Sequence, residues 1–240
     1  MAEDGVKDEG FGDRRATARA RAGELQARYE QSDDPTGWFD ALYRAAGDDA
    51  AQVPWADLEP HPLLSRWLTG FEGRHEGAAL DVGCGLGDNA AALATAGYAV
   101  TAFDLSPTAI DWAKKRFGSA GIDFCVANLL ELPDDMRGRF DLVQETYTLQ
   151  SLKDPLRRAA FAALASTLAP GGRLLVICRS RRDDEMAQGP PWPLSPAELA
   201  RFEALGLEPE SFEAVDVTGE RVIPHIVATW IKPQFQDRPS

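Results

Sequence analysis

The chain has 240 residues, enough for one large α/β domain with an appendage to bury its own core. It carries 25 basic and 38 acidic residues, a formal charge of −13, and this excess of acids disfavours a surface that binds nucleic-acid phosphates. The three cysteines lie singly in apolar runs, so their spacing indicates neither a disulfide framework nor a metal site. No stretch has the composition of a signal peptide or a membrane span. We expect a cytoplasmic protein without metal, nucleic-acid or membrane partners.

The N-terminal third divides into a tail and an aromatic-rich segment. Residues 1–14 are charged and nearly free of apolar side chains, which is the composition of a disordered tail. Residues 16–31, rich in alanine and arginine, predict a packing helix. Five aromatic side chains and three prolines between residues 38 and 68 predict short helices and extended pieces. We expect residues 15–72 to form a helical lid on a main domain of residues 73–240.

From Ala78 onward, apolar runs of strand length alternate with helical stretches. The expected strands are 78–83, 99–104, 122–126, 140–145, 173–179, 210–217 and 225–232, and the expected helices lie near 88–96, 107–119 and 154–168. Ser195 is the expected N-cap of a further helix. This alternation predicts an α/β fold with a doubly wound, mostly parallel sheet of seven strands.

Three glycines stand at alternate positions behind the first strand, in "LDVGCGLGDN" from Leu80 to Asn89. A strand-to-helix turn of this kind lies at the carboxyl edge of a parallel sheet, where glycines let the backbone approach a ligand closely. Asp104 ends the next strand, 21 positions after Gly83, and is placed to accept hydrogen bonds from ribose hydroxyls. The pattern predicts a nucleoside-containing ligand. An ordinary strand-ending aspartate that caps the helix at Pro107 fits the same pattern.

Asp88 stands where a dinucleotide-binding loop requires its third glycine. Together, "LDVGCGLGDN", "FDLSPTAI" and "LAPGGRLLVI" make residues 78–180 resemble the class I S-adenosylmethionine-dependent methyltransferases. The resemblance implies a Rossmann-like methyltransferase fold, S-adenosylmethionine as cofactor and S-adenosylhomocysteine as product. In that family an aspartate commonly binds the adenine amino group where this chain has Asn128. The implied cofactor contacts are Trp38, Tyr43, Trp55, Asp81, Gly83, Cys84, Gly85, Asp104, Leu105, Asn128, Leu129 and Glu145.

The residues after the fourth strand are expected to face the methyl acceptor. In "FDLVQETYTLQSL", Glu145 and Tyr147 are the catalytic candidates, although Tyr147 would serve equally as a core aromatic. The chain lacks the Asp/Asn-Pro-Pro-aromatic pattern of nucleobase amino methylation and the clustered carboxylates of catechol-type metal sites. Only single histidines are present, and His61 is the one that could enter the site from the lid.

The lid sequence "GWFDALYRAAGDDAAQVPWADLEPHPLL" and the passage "GPPWPLSPAEL" at 189–199 resemble the thiopurine, thiol and halide methyltransferase group. The resemblance implies a soft nucleophile, a small-molecule thiol, as acceptor. We expect a monomer or homodimer. The expected substrate contacts are Trp38, Trp55, Tyr147, Arg179 and Arg181. Alternatives are O- or N-methylation with Glu145 or His61 as base, and a protein that binds the cofactor without catalysis. Both stretches are also explained by aromatic residues that simply bury apolar surface, and the arginines are also explained as solvated loop residues.

Overall fold

The structure is a computed structural model that describes residues 10–30, 32–218 and 222–234. The elements are α1 Phe11–Tyr29, α2 Trp38–Ala46, α3 Pro62–Gly70, β1 Ala78–Val82, α4 Asp88–Ala96, β2 Ala99–Asp104, α5 Pro107–Phe117, β3 Asp123–Val126, β4 Phe140–Thr146, α6 Leu156–Thr167, β5 Leu168–Arg179, α7 Pro196–Leu199, α8 Arg201–Ala204, β6 Glu208–Thr218 and β7 Val222–Ile231. None of the helices in these ranges combines the length and the apolar character that crossing a membrane requires.

The seven strands form one sheet in the order β3-β2-β1-β4-β5-β7-β6. Strands β1 to β5 pair in parallel, and β7 pairs antiparallel with both β5 and β6. The expected α/β fold with a mostly parallel seven-stranded sheet is therefore confirmed. The order reverses between β1 and β4, so the carboxyl ends of these two strands flank the point where sheets of this class bind ligands.

Apolar runs form the strands because both faces of the sheet are covered. In β4, Phe140, Leu142 and Val143 are all buried, Leu142 in one apolar cluster and the other two in a second. A strand buried on both faces reads as a continuous apolar run rather than an alternating one. The two clusters hold the sheet rigid, which fixes the positions of the loops at its carboxyl edge.

Helix caps explain where several helices begin. The Ser106 hydroxyl accepts a hydrogen bond from Ala109 N at 3.0 Å, and Pro107 opens α5. Ser195 forms a capping box with Glu198 at the start of α7, so the expected N-cap is confirmed. The helix expected there is interrupted, because α7 ends at Leu199 and α8 begins at Arg201.

The N-terminal boundary differs from the expectation. Helix α1 begins at Phe11, whose side chain is buried, so the expected tail of residues 1–14 ends inside a helix. Residues 1–9 lie outside the described residues. The aromatic ring of Phe11 belongs to an apolar cluster with Trp38, Leu42 and Tyr43, which explains why the helix extends further than its polar sequence indicates. The same cluster includes Leu86 and joins α1 and α2 to the glycine turn.

Candidate active site at the carboxyl edge of the sheet

The glycine turn after β1 adopts a backbone that other residues rarely adopt. Gly83, Gly85 and Gly87 have φ values of 65°, 52° and 88°. A Cβ on Gly83 would lie 2.6 Å from the Thr148 hydroxyl oxygen, so the turn that follows β4 packs directly on the glycine turn. Gly83 itself is exposed, and its backbone is open to a ligand at the switch point of the sheet.

Asp104 lies at the tip of β2 and supports this turn. Its Oδ2 accepts a hydrogen bond from Gly85 N at 3.0 Å, and its Oδ1 accepts one from Ser106 N at 2.9 Å. Burial raises the pKa of this carboxyl group to about 6. Each carboxylate oxygen has a second lone pair, so Asp104 can bind the backbone and a ribose hydroxyl at the same time. The N-cap of α5 is Ser106 rather than Asp104, so Asp104 holds the backbone of the turn and is a group suited to a ribose.

Asp81 lies at the end of β1 with one carboxylate oxygen available to the amino-acid part of a cofactor. The Gln144 amide donates a hydrogen bond to its Oδ1, but its buried Oδ2 has no hydrogen-bond partner among the described residues. Burial, and next the negative charge of Asp104, raise the pKa of Asp81 to about 7. An unpartnered carboxylate oxygen is costly without a donor or cation. The ammonium of an S-adenosylmethionine tail, directly or through water, would satisfy it, so the residues present fit this cofactor.

The lid contacts the glycine turn through Tyr43. This side chain is 1% exposed, and its hydroxyl accepts a hydrogen bond from Trp55 Nε1 at 2.7 Å. A Cβ on Gly85 would come within 3.0 Å of the Tyr43 hydroxyl. Helix α2 is held there because Asp40 accepts hydrogen bonds from Ser106 Oγ at 2.6 Å and from the N-terminus of α5.

Unlike Tyr43, Trp38 packs mainly against other aromatic side chains of the N-terminal segment. It is 5% exposed, and its ring stacks on Phe39 with centroids 3.9 Å apart. It belongs to the same apolar cluster as Tyr43 and Leu86, and its burial leaves little of its surface for a ligand. The expectation that Trp38 contacts cofactor and substrate is therefore not supported by its position, whereas half-buried Trp55 keeps an accessible surface beside Tyr43.

The remaining expected cofactor contacts flank the turn. Leu105 follows Asp104 and is half-buried. Asn128 caps a short 3₁₀ turn, since its Oδ1 accepts a hydrogen bond from Leu130 N at 3.0 Å. The side chains of Cys84 and Leu129 are buried in the two apolar clusters of the sheet, so a ligand would meet mainly their backbone.

Glu145, which is expected to be catalytic and to contact the cofactor, is buried beneath the turn that follows β4. Its side chain is fully buried, and its carboxylate accepts hydrogen bonds from Thr148 N at 3.0 Å and Leu149 N at 3.3 Å. Burial raises its pKa to about 8. These contacts hold the turn that follows β4. The sequence places Glu145 two residues from Tyr147, but the strand continues to Thr146 and directs the carboxylate inward.

Tyr147 is the point where three distant segments meet. Its hydroxyl lies 2.8 Å from His61 Nε2, at the start of α3, and 2.6 Å from His225 Nε2, on β7. Its own backbone has a φ of 70°, and its N–H donates to Ile177 O at 3.1 Å. Sequence reasoning missed His225 because nothing in its neighbourhood marks it: the contact joins residues 78 positions apart.

The two expected arginines have different surroundings. The Arg179 guanidinium carbon lies 5.8 Å from the centroid of the Tyr147 ring. Arg181 instead pairs with Glu198 at 2.6 Å and donates hydrogen bonds to Pro193 O and Glu185 O. The structure therefore brings Arg179 to Tyr147 and uses Arg181 to hold the proline-rich passage.

That passage borders the site. Trp192 N donates a hydrogen bond to Gln150 O at 2.8 Å, in the 3₁₀ turn that follows Tyr147. The buried Arg157 guanidinium bonds both Trp192 O and Glu198. Trp192, remote in sequence, is thus fixed against the turn that follows Tyr147.

Comparison with known proteins agrees with this geometry. Residues 79–172 match the family model described as a methyltransferase domain. The chain is 38% identical over 146 residues to ubiquinone biosynthesis O-methyltransferase of Xanthomonas campestris pv. campestris (strain B100), covering 60% of this chain and 56% of the relative. This chain thus spans little more than half of that relative.

Two further similarities extend across the lid. The chain is 27% identical over 206 residues to probable thiol methyltransferase 2 of Arabidopsis thaliana, covering 85% of each. A solved structure described as "Conversion of a Disulfide Bond into a Thioacetal Group during Echinomycin Biosynthesis" superposes with a TM-score of 0.68 and 26% identity, covering 84% of this chain and 93% of that one. The sheet order, the glycine turn with Asp81 and Asp104, and the match of residues 79–172 to a methyltransferase domain agree with one another. The chain has a Rossmann-like methyltransferase fold, its cofactor is S-adenosylmethionine, and the product from that cofactor is S-adenosylhomocysteine.

Proposed function

We propose that this protein transfers a methyl group from S-adenosylmethionine to the sulfur of a small-molecule thiol. The observation that carries the proposal is the chemical character of the surface around Tyr147. His61 and His225 contribute imidazoles, and Arg179 contributes a cation beside the phenol ring. Burial lowers the pKa of both histidines, that of His61 to about 4, so both are neutral at pH 7. Neutral weak bases next to a cation suit an acceptor that ionises close to neutrality.

A thiol is such an acceptor. Its unperturbed pKa is about 8.5, so a nearby guanidinium and a weak base are sufficient to form thiolate near pH 7. A phenol, with a pKa of about 10, requires more assistance. Arg179 is therefore proposed to favour the anionic form of the acceptor, and Tyr147 to contact its sulfur.

The other residues of the site position the reactants. The cofactor, when bound, supplies the methyl group as part of a sulfonium. Asp104 and the glycine turn are proposed to bind its ribose and backbone-facing portions, with Asp81 near its ammonium. Tyr43 and Trp55 lie over the turn and exclude water there. Catalysis then comes largely from holding acceptor and methyl group in line within a water-poor pocket.

The similarity over the lid supports the choice of sulfur. The Arabidopsis relative and the echinomycin-related structure both span 84–85% of this chain, including the segment that covers the glycine turn, and both are described by sulfur chemistry. The carboxyl edge of the sheet binds the cofactor, and we infer that the covering segment contributes to recognition of the acceptor. A second candidate is O-methylation of a phenol, which is favoured by the 38% identity to the ubiquinone O-methyltransferase over the domain core.

The experiment that tests the proposal is methyl transfer from labelled S-adenosylmethionine to matched acceptors. Thiophenol, phenol and aniline with the same ring substituents present sulfur, oxygen and nitrogen in one shape, and mass spectrometry identifies the product. Turnover on thiophenols at least tenfold above phenols supports S-methylation. Preference for the phenols supports the second candidate, and retention of cofactor without turnover on any acceptor contradicts both.

Arg179→Gln supplies a sharper comparison within the same assay. Loss of the cation should lower activity toward thiols that are protonated at the assay pH more than activity toward thiols already ionised. Arg182→Gln is the matched control, since this exposed arginine pairs with Asp184 and Glu185 rather than lying against the Tyr147 ring. Equal losses in both variants would remove Arg179 from the proposed site.

A further inference from the structure

The hydrogen bonds around Tyr147 have a definite direction. His225 Nδ1 lies 2.8 Å from Ile223 O, a carbonyl that only accepts, so Nδ1 carries the proton and Nε2 is left as an acceptor. Nε2 therefore accepts the hydrogen of the Tyr147 hydroxyl, 2.6 Å away. His61 Nδ1 accepts from Leu63 N at 3.2 Å, so its Nε2 carries the proton and donates to the Tyr147 oxygen.

This order leaves one lone pair of the Tyr147 oxygen that neither histidine occupies. A phenolic oxygen has one hydrogen and two lone pairs. The hydrogen is directed to His225, and one lone pair accepts from His61. The remaining lone pair faces Arg179, whose side chain also hydrogen-bonds the phenol, so the acceptor S–H must take this position while Arg179 turns to the sulfur. Tyr147 is only half-buried at the carboxyl edge of the sheet.

The arrangement is held under strain. Tyr147 has a φ of 70°, in the left-handed region that residues other than glycine and asparagine rarely adopt. Its backbone is fixed by a hydrogen bond to β5, and the turn behind it is fixed by Glu145. Non-glycine residues in this conformation concentrate at functional sites, where surrounding structure maintains them.

We propose that Tyr147 and His225 form a proton relay that deprotonates the methyl acceptor, with His61 as a positioning residue supplied by the lid. This proposal rests on the proposed function, and it identifies the general base of that reaction. The acceptor S–H proton passes to the Tyr147 oxygen while the Tyr147 proton passes to His225 Nε2. The electron pair of the broken S–H bond remains on sulfur and forms the new bond to carbon, and His225 ends as an imidazolium that returns its proton to water after product release.

The charged groups around the relay are consistent with a concerted transfer. Burial raises the pKa of Tyr147 to about 12, so a tyrosinate does not accumulate, and the two transfers occur together. Arg179 lies beside the phenol and opposes a charge on His225, whereas Asp216 on β6 favours that charge, and Asp57 acts on both His61 and Tyr147. Asp57 is itself paired with Arg15 at 2.5 Å.

His61 connects the relay to the lid region. Its backbone N–H donates to Asn89 Oδ1 at 2.9 Å on α4, so His61 is anchored next to the helix that follows the glycine turn. By donating to the Tyr147 oxygen it leaves His225 as the one acceptor for the phenol hydrogen. The relay is therefore complete when the segment before α3 is in place.

The test compares His225→Gln and Tyr147→Phe with a matched control, His75→Gln. Glutamine at position 225 keeps a hydrogen-bond acceptor but takes up no proton. His75 is the remaining histidine and bonds Leu68 O at 2.9 Å, away from Tyr147. Activity is measured on thiols whose pKa values range from well below to well above the assay pH.

Both relay variants should lose about 10²- to 10⁴-fold in kcat/KM on the protonated thiols and less than about threefold on thiols that are already ionised. His75→Gln should lose little on either. A loss that is uniform across the series, or no loss, would overturn the relay, because a merely structural role is indifferent to the acceptor pKa.

A second readout does not require turnover. With ¹⁵N-labelled histidine and S-adenosylhomocysteine bound, addition of a thiol should shift the His225 signals toward the imidazolium form, and Tyr147→Phe should abolish this shift. An unchanged neutral spectrum in the wild-type protein would contradict the relay. If phenols rather than thiols are methylated, the S-methylation proposal fails alone, and the same series of graded phenols tests the relay. If no acceptor is methylated and the spectrum is unchanged, both fail.

Discussion

The Asp104 carboxylate on β2 accepts a hydrogen bond at 3.0 Å from the backbone N–H of Gly85, in the turn that follows β1. One side chain thereby connects the two strand ends between which the ribose is expected to bind. Its second oxygen bonds Ser106 N at 2.9 Å, at the start of α5. Cofactor affinity and the shape of the turn therefore depend on the same group.

Replacing Asp104 with alanine should weaken the binding of S-adenosylhomocysteine by about 10- to 100-fold, since hydrogen bonds to a charged group are each worth about 1.5–3 kcal/mol. Asp104→Asn, which retains one oxygen, should lose less. Isothermal titration calorimetry measures the dissociation constants. Asp111→Asn, an exposed aspartate on α5, is the control. An unchanged constant for Asp104→Ala in a folded protein would remove Asp104 from the site.

Gly85→Ala should impair cofactor binding as well as stability. Alanine at this position would have to adopt a backbone φ of 52°, and its Cβ would lie 3.0 Å from the Tyr43 hydroxyl. Gly121→Ala is a matched control, because Gly121 has a φ of 71° but no atom within 4 Å of the added Cβ. Both variants should lose about 1–2 kcal/mol of stability through backbone strain, and only Gly85→Ala should also bind S-adenosylhomocysteine more weakly. Equal affinity in the two variants would show that Tyr43 does not cover the cofactor site.

Glu145→Gln should retain activity within about threefold, because the carboxylate is buried and bonded to Thr148 N and Leu149 N. Loss of a general base would instead lower kcat by about 10²–10⁴-fold. Steady-state kinetics on the preferred acceptor distinguishes the two results. An inactive variant that still binds the cofactor would show that Glu145 is a catalytic residue.

The same substitution should change how stability depends on pH. Burial raises the folded-state pKa of Glu145 to about 8, above its ordinary value of 4.5, so its stabilising contribution is present below the lower value and is lost as pH rises through about 8. Between pH 6.5 and 8.5, the melting temperature of the wild-type protein should fall further than that of Glu145→Gln. Thermal unfolding by circular dichroism checks this. Parallel curves for the two proteins would contradict the raised pKa.

Asp40→Ala should release the lid. Asp40 bonds Ser106 Oγ at 2.6 Å and Thr108 N at 3.3 Å, and these contacts hold α2 against the start of α5. We expect trypsin to cut after exposed Arg44 about tenfold faster in this variant, and S-adenosylhomocysteine to slow that cut in the wild-type protein. Glu24→Ala, at an exposed position on α1, is the control. Equal cleavage with and without ligand would argue against a lid that closes over the cofactor.

The sheet and the cofactor half of the site follow from local sequence patterns. Apolar runs buried on both faces locate the strands to within a few residues, and β2 coincides with its expected bounds of 99–104. The glycine turn and Asp104 are recognisable because each lies directly behind its strand, and parallel strands bring those ends to one edge. The helix start at Phe11 was missed because its burial depends on the lid cluster rather than on neighbouring residues.

The acceptor half was decided by tertiary structure. Glu145 and Tyr147 look alike in sequence as polar residues after a strand, but β4 continues through Thr146, so one is buried under the turn and the other reaches its surface. The contacts of Tyr147 with His61 and His225 join segments 86 and 78 positions away. The sequence by itself determined a doubly wound, mostly parallel sheet and a turn that binds a nucleoside, since these depend on periodicity and spacing within short stretches, and its resemblance to the class I methyltransferases implied the cofactor. The groups proposed to surround the acceptor come together only because the sheet order sets β7 beside β5 and the lid cluster packs on the glycine turn.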